Sequence, residues 1–100
     1  MIKQVSTIEA AKLIEEHNAL VVDIRDQNSF EQGHIANAVR IDNDNFQEYV
    51  ESQDKTLPLI VCCYHGNSSQ AATGVFNSHG FDAHSLQGGM SSWMLSNSVE

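Results

Sequence analysis

The chain has 100 residues, 41% of them hydrophobic, and its 13 acidic residues against 5 basic ones give a formal net charge of −8, enough apolar material for one compact domain and little for a second. Nucleic acid and anionic membranes are gripped through clusters of Lys and Arg, whereas Lys3, Lys12, Arg25, Arg40 and Lys55 are scattered, so neither is expected as a partner. The opening stretch lacks the apolar run of a secretory leader and no segment approaches the roughly 20 apolar residues of a membrane span, so a soluble, cytoplasmic protein is expected, with Cys62 and Cys63 reduced, because neighbouring cysteines cannot staple a fold.

In chain order, Ser6 and Glu9 form a capping box, and Ala10, Leu13, Ile14 and His17 then share one face of a first helix. The run ALVVDI, Ala19 to Ile24, is apolar in succession, the mark of a strand covered on both sides. NSFEQGH reads as a short helix stopped near Gly33, AVRI as a brief strand, and Phe46, Tyr49 and Val50 as an apolar helical triplet after Asp44. Pro58 opens LIVCC, the expected central strand, where its missing N–H does least harm. Ala72, Val75, Phe76 and His79 fall on one helix face, with Gly80 at its stop. FDAHSL alternates like a strand, and Gly88-Gly89 precede a last helix carrying Trp93 as a core anchor.

This alternation is that of an α/β fold, a parallel sheet with helices on its faces, whose reactive crevice lies at the carboxyl ends of the strands. Cys63 falls there. Adjacent strand residues point to opposite faces, so Cys62 is expected in the core and Cys63 where the chain leaves the sheet. The residues that follow, Tyr64, His65, Gly66, Asn67, Ser68 and Ser69, supply a small-residue loop and then a helix start. Backbone amides and the positive end of a helix dipole aimed at one point favour an anion, so the Cys63 thiol is expected to ionise more readily than a free cysteine.

These residues resemble a known family. LVVDIRDQNSFEQGHIANAVRI in the first half, the CYHGNS loop and LQGGMSSW near the end, in that order, are similar to the single-domain rhodaneses, thiosulfate sulfurtransferases of the small bacterial type. The resemblance extends over nearly the whole chain and implies one rhodanese-like domain over residues 1–100, with a central, mostly parallel sheet and helices on both faces. It also implies an active loop from Cys63 to Ser68 whose amides surround a cysteine alternating between thiolate and persulfide. The implied reaction is a double displacement: Cys63 takes the outer sulfur of thiosulfate and passes it to cyanide, or to a thiol or dithiol acceptor such as thioredoxin. No metal or organic cofactor is implied.

One departure stands out. Many rhodaneses carry Arg or Lys in or just after the loop, and this chain has only uncharged residues and His65 there, so anion binding falls to amides and hydroxyls and weak thiosulfate binding is expected. Arg25, beside Asp23 and Asp26, reads as a structural ion pair, and Arg40 has no assigned role. Cysteine-loop phosphatases and similarly built arsenate reductases need an Arg six residues beyond the nucleophile, where this chain has Ser69. Cys62, Cys63 and His65 lack the spacing of a zinc site. His34 reads as orienting its turn through its ring nitrogens; His65 either touches substrate or lines the rim; Gly88 and Gly89 either let backbone pass close to the site or only turn the chain. Two other readings use the same fold: a persulfide relay to sulfur-modification machinery, and a non-catalytic protein-binding module, which usually lacks the cysteine.

Overall fold

In the computed structural model, which describes residues 2–100, strands and helices alternate along the chain. They are β1 (Gln4–Val5), α1 (Thr7–His17), β2 (Leu20–Asp23), α2 (Gln27–Gln32), β3 (Val39–Arg40), α3 (Phe46–Ser52), β4 (Pro58–Cys62), α4 (Ser68–Ser78), β5 (Asp82–Leu86) and α5 (Gly89–Ser96). The Ser6–Glu9 capping box forms in both directions at the start of α1. Asp26 caps α2 through the Ser29 amide, and that helix ends at Gly33.

The five strands make one sheet in the order β1-β5-β4-β2-β3. Every pairing in it is parallel. The apolar β4 is central, with Leu59, Ile60, Val61 and Cys62 fully buried. Its side chains alternate between two cores: Ile60 and Cys62 pack with Val5, Ala10, Val21, Leu86, Met90 and Trp93, whereas Leu59 and Val61 pack with Val22, Tyr49, Val50, Phe76 and Ala83. Helices α1 and α5 therefore cover one face and α3 and α4 the other, the arrangement a parallel sheet requires. Among the described residues no helix is long and apolar enough to cross a membrane.

Two features differ from the sequence reading. Strand β1 is absent from that reading because two residues carry no period; it exists because Ser85 and Gln87 donate to the carbonyls of Lys3 and Val5 across the sheet edge. The inward face of α4 is also rotated. Ser69, Thr73 and Phe76 are buried, while Val75 is 48% exposed and lines a shallow groove with Ile24, Ile41 and Phe46. His79, beyond the helix end, is exposed and meets Phe46 edge-on. Periodicity counts apolar residues, but Ser69 and Thr73 can be buried because their hydroxyls find partners inside, Thr73 Oγ1 donating to the Ser69 carbonyl at 2.6 Å.

Asp23 and Arg25 are buried at the end of β2 and satisfy each other. Arg25 Nη2 donates to Asp23 Oδ2 at 2.7 Å, Nε to Oδ1 at 3.0 Å, and Nη2 also to the Gly33 carbonyl at 2.7 Å. Burial opposes the guanidinium's charge, but the hydrogen bonds and charge of Asp23 outweigh it and hold the Arg25 pKa above its ordinary value. Arg25 is thus the structural ion pair expected. Replacing it by Leu strands a buried carboxylate, and we expect Arg25→Leu to cost about 3–5 kcal/mol of stability in urea unfolding; a loss below about 1 kcal/mol would show that Asp23 finds another partner.

Candidate active site

At the end of β4 the adjacent cysteines part. Cys62 Sγ lies among apolar side chains and donates to the Val22 carbonyl at 3.3 Å. Burial pushes its thiol well above the ordinary range and the neighbouring Asp23 carboxylate adds to the effect. Cys63, one residue on, turns to the α4 face and is only 5% exposed. Its sulfur meets the Gly66 amide at 3.1 Å, the Ser69 amide at 3.3 Å and the Ser69 hydroxyl at 3.3 Å. Asn67 provides no side-chain cap for α4; the sulfur takes the place of that cap by accepting from the first turn of the helix.

Burial alone would raise the Cys63 pKa. The Ser69 hydroxyl and amide, with the amides of Gly66 and His65, outweigh it and hold the thiol below its ordinary value. Among the described residues no cation contributes by contact: Arg25 is committed to Asp23, and Arg40 to Gln27 Oε1 at 2.8 Å and Asp42 Oδ2 at 2.7 Å.

The loop is held from outside. The Met90 amide donates to the Cys63 carbonyl at 2.8 Å and the Ser91 amide to the Tyr64 carbonyl at 3.0 Å, while Gln70 Nε2 holds the Gly66 carbonyl at 3.0 Å. With those carbonyls turned away from the sulfur, loop amides can turn toward it. Gly89 permits the approach, since a Cβ there would stand 2.6 Å from both the Cys63 and Tyr64 carbonyl oxygens. Gly66 adopts φ +90°, a conformation side chains avoid, and a Cβ on it would lie 2.8 Å from the Gly88 nitrogen. Gly88 and Gly89 both turn the chain at positive φ, and Gly89 in addition lets the backbone pass close to the site.

The remaining loop residues face outward. Tyr64 is 49% exposed, with the Arg25 guanidinium 5.8 Å from its ring centroid. His65 is exposed and its Nδ1 lies 3.0 Å from Ser91 Oγ. Asn67 and Ser68 are exposed, and neither makes a hydrogen bond to the sulfur. His34 stacks on Phe30 with its Nδ1 2.9 Å from the Phe30 carbonyl, so it fixes its own turn. Among the described residues, no group of three or more metal-ligating side chains comes together. The sequence reading missed Ser85 of β5, whose buried hydroxyl lies 2.7 Å from Ser69 Oγ, and the α5 amides. Strand alternation could have placed Ser85 on the α4 face, but nothing in sequence joins it to residue 69.

Iodoacetamide should alkylate Cys63 selectively, with a pH midpoint below that of a free cysteine and with Cys62 unmodified in the native protein. Gly89→Ala, by driving the Cys63 and Tyr64 carbonyls away, should raise that midpoint; an unchanged midpoint would show that α5 does not set the loop.

Residues 6–96 match the Rhodanese-like domain family. A protein of Coxiella burnetii (strain RSA 331 / Henzerling II) named thiosulfate sulfurtransferase GlpE is 43% identical over 94 residues, 93% of this chain and 88% of that protein. A protein of Pseudomonas fluorescens (strain SBW25) with the same name is 46% identical over 86 residues, covering 85% and 79%. Among solved structures, a rhodanese-like domain protein from Staphylococcus aureus superposes with a TM-score of 0.82 at 28% identity over 99% of this chain and 97% of that one. A rhodanese-related protein from Thermoplasma volcanium, at 24% identity over 98% and 97%, shares the fold with a TM-score of 0.84. The parallel sheet, the cysteine at the end of its central strand and these matches together place the chain in the rhodanese-like domain family.

Proposed function

We propose that the chain, as one rhodanese domain over residues 1–100, is a thiosulfate sulfurtransferase in which Cys63 carries sulfur as a persulfide. The observation that carries this reading is the Cys63 sulfur itself, buried at the carboxyl end of the central strand and met by two amides and a hydroxyl. The names of the relatives at 43% and 46% identity support the same activity.

The Cys63 thiolate attacks the outer sulfur of thiosulfate. A new S–S bond forms to Cys63 as the old one to the sulfonate sulfur breaks, and sulfite leaves with the electron pair. The terminal persulfide sulfur is again an anion. The amides of Tyr64, Asn67 and Ser68 donate neither to a backbone carbonyl nor to the Cys63 sulfur among the described residues, so they are free to take up that outer sulfur while Gly66 and Ser69 hold the inner one; fixed dipoles thus serve both half-reactions. In the second displacement cyanide or a thiolate attacks the terminal sulfur, Cys63 leaves as thiolate, and the sulfur departs as thiocyanate or as the acceptor's persulfide. A dithiol protein such as thioredoxin, or a small thiol, supplies the thiolate that this second step needs. Each step needs only the donor, the acceptor and the loop. The two free thiols fit work in the cytoplasm.

A phosphatase reading is disfavoured by Ser69 at the sixth position and by the pairing of both arginines elsewhere. The non-catalytic module has no observation in its favour, since the cysteine and its cradle are intact.

Incubation with thiosulfate should add the mass of one sulfur atom at Cys63, mapped by peptide mass spectrometry. Cys63→Ser should take up none and Cys62→Ser should retain most of it; equal loss in both would contradict the separation of the two faces. Because the net charge of −8 repels a dianion, loading should accelerate as salt is raised from low to physiological ionic strength, the reverse of what a basic binding site gives.

A further inference from the structure

We infer that Ser85 is a positioning residue for this site, acting through Ser69 to aim a hydroxyl hydrogen at the Cys63 sulfur. Its hydroxyl belongs to a fully buried side chain on β5, and its single partner among the described residues is Ser69 Oγ at 2.7 Å. Ser69 Oγ in turn lies 3.3 Å from Cys63 Sγ. Three polar atoms therefore form a line with two contacts, ending on the sulfur.

Counting hydrogens along that line gives it a direction. With Cys63 as thiolate, two hydroxyl hydrogens serve two contacts: Ser85 donates to Ser69 Oγ, and the Ser69 hydrogen is left with the sulfur as its acceptor. With Cys63 as thiol, three hydrogens share the same two contacts and one has no acceptor within the line. An unused buried donor is unfavourable. A hydroxyl that accepts one hydrogen bond also donates a stronger one, so Ser85 strengthens the contact that Ser69 makes to the anion. Thr73 and Ser69's own backbone complete the positioning: Ser69 N donates to the sulfur and its carbonyl accepts from Thr73 Oγ1 at 2.6 Å.

The charged and titratable groups around this line leave it little competition. Helices α4 and α5 carry no Asp, Glu, Lys or Arg. The end of β2 contributes Asp23, and Arg25 just beyond it is paired with that carboxylate. Strand β5 contributes Asp82 and His84, whose Oδ1 and Nε2 lie 3.3 Å apart. Cys62 is on the opposite face of the sheet, and the loop adds only Tyr64 and His65, both turned outward.

The test is the pH dependence of Cys63 alkylation by iodoacetamide in the unsubstituted protein, its Ser69→Ala and Ser85→Ala variants, and the double variant. At pH values well below the midpoint, Ser85→Ala should slow alkylation about threefold, the rate effect of a midpoint raised by roughly half a pH unit. At alkaline pH, where the thiol is ionised in all four proteins, the rate should be unchanged. A merely structural lesion would alter accessibility at every pH. In the Ser69→Ala background, loss of Ser85 should add nothing. A midpoint unmoved by Ser85→Ala, or a shift that persists without Ser69, would overturn the inference. It rests on the proposed function only in taking Cys63 as the nucleophile. Alkylation requires no sulfur donor, so a protein that fails to load sulfur from thiosulfate yet shows this pattern would sink the function and leave the relay standing.

Discussion

The site depends on two backbone hydrogen bonds, from the amides of Met90 and Ser91 to the carbonyls of Cys63 and Tyr64. In a peptide the carbonyl and the N–H of the next residue point in opposite directions, so fixing the Cys63 and Tyr64 carbonyls orients the amides of Tyr64 and His65 and anchors the start of the loop whose Gly66 amide meets the sulfur. The N-terminus of α5 has orphan amides to offer, and the Cys63 and Tyr64 carbonyls satisfy two of them. Remote as it is in sequence, Gly89 is required by this junction, because no side chain fits there between α5 and the loop.

Given that junction, the chain can stabilise a sulfur anion without a basic residue. Its arginines are used elsewhere: Arg25 ties the end of β2 to the turn after α2, and Arg40 joins β3 to α2 and Asp42. What remains are neutral dipoles held at fixed positions, which in the proposed reaction need no reorganisation as charge moves from Cys63 to an outer sulfur. Dipoles fall off faster with distance than charges, so such a site stabilises an anion in contact and does little to attract one from afar. With a net charge of −8, the fold repels anions at long range, and under the proposed function it stabilises them only at the loop.

The pair Cys62-Cys63 shows how one backbone rule separates two chemistries. Both are cysteines at the end of the same strand, yet Cys62 lies in the α1/α5 core with its thiol pushed up by burial, and Cys63 lies under α4 with its thiol pulled down by hydrogen bonds. The alternation of side chains along β4 is sufficient for this division. It was legible in sequence, as were the capping box at Ser6, the central strand opened by Pro58 and the last helix around Trp93, because each is written in residues close together along the chain.

Less was legible where burial is polar or contacts are distant. Helix α4 turns Ser69 and Thr73 inward because their hydroxyls are satisfied by Ser85 and by the helix's own carbonyl, and no apolar pattern announces that. Strand β1 is too short to have a pattern at all and is made by its pairing with β5. Local order therefore determined the elements, the class of fold and which cysteine meets the loop. The tertiary structure alone decided which donors reach the sulfur, that Arg25 and Arg40 are occupied elsewhere, and that Ser85 stands behind Ser69, since those contacts join residues from strands and helices that only folding brings within reach.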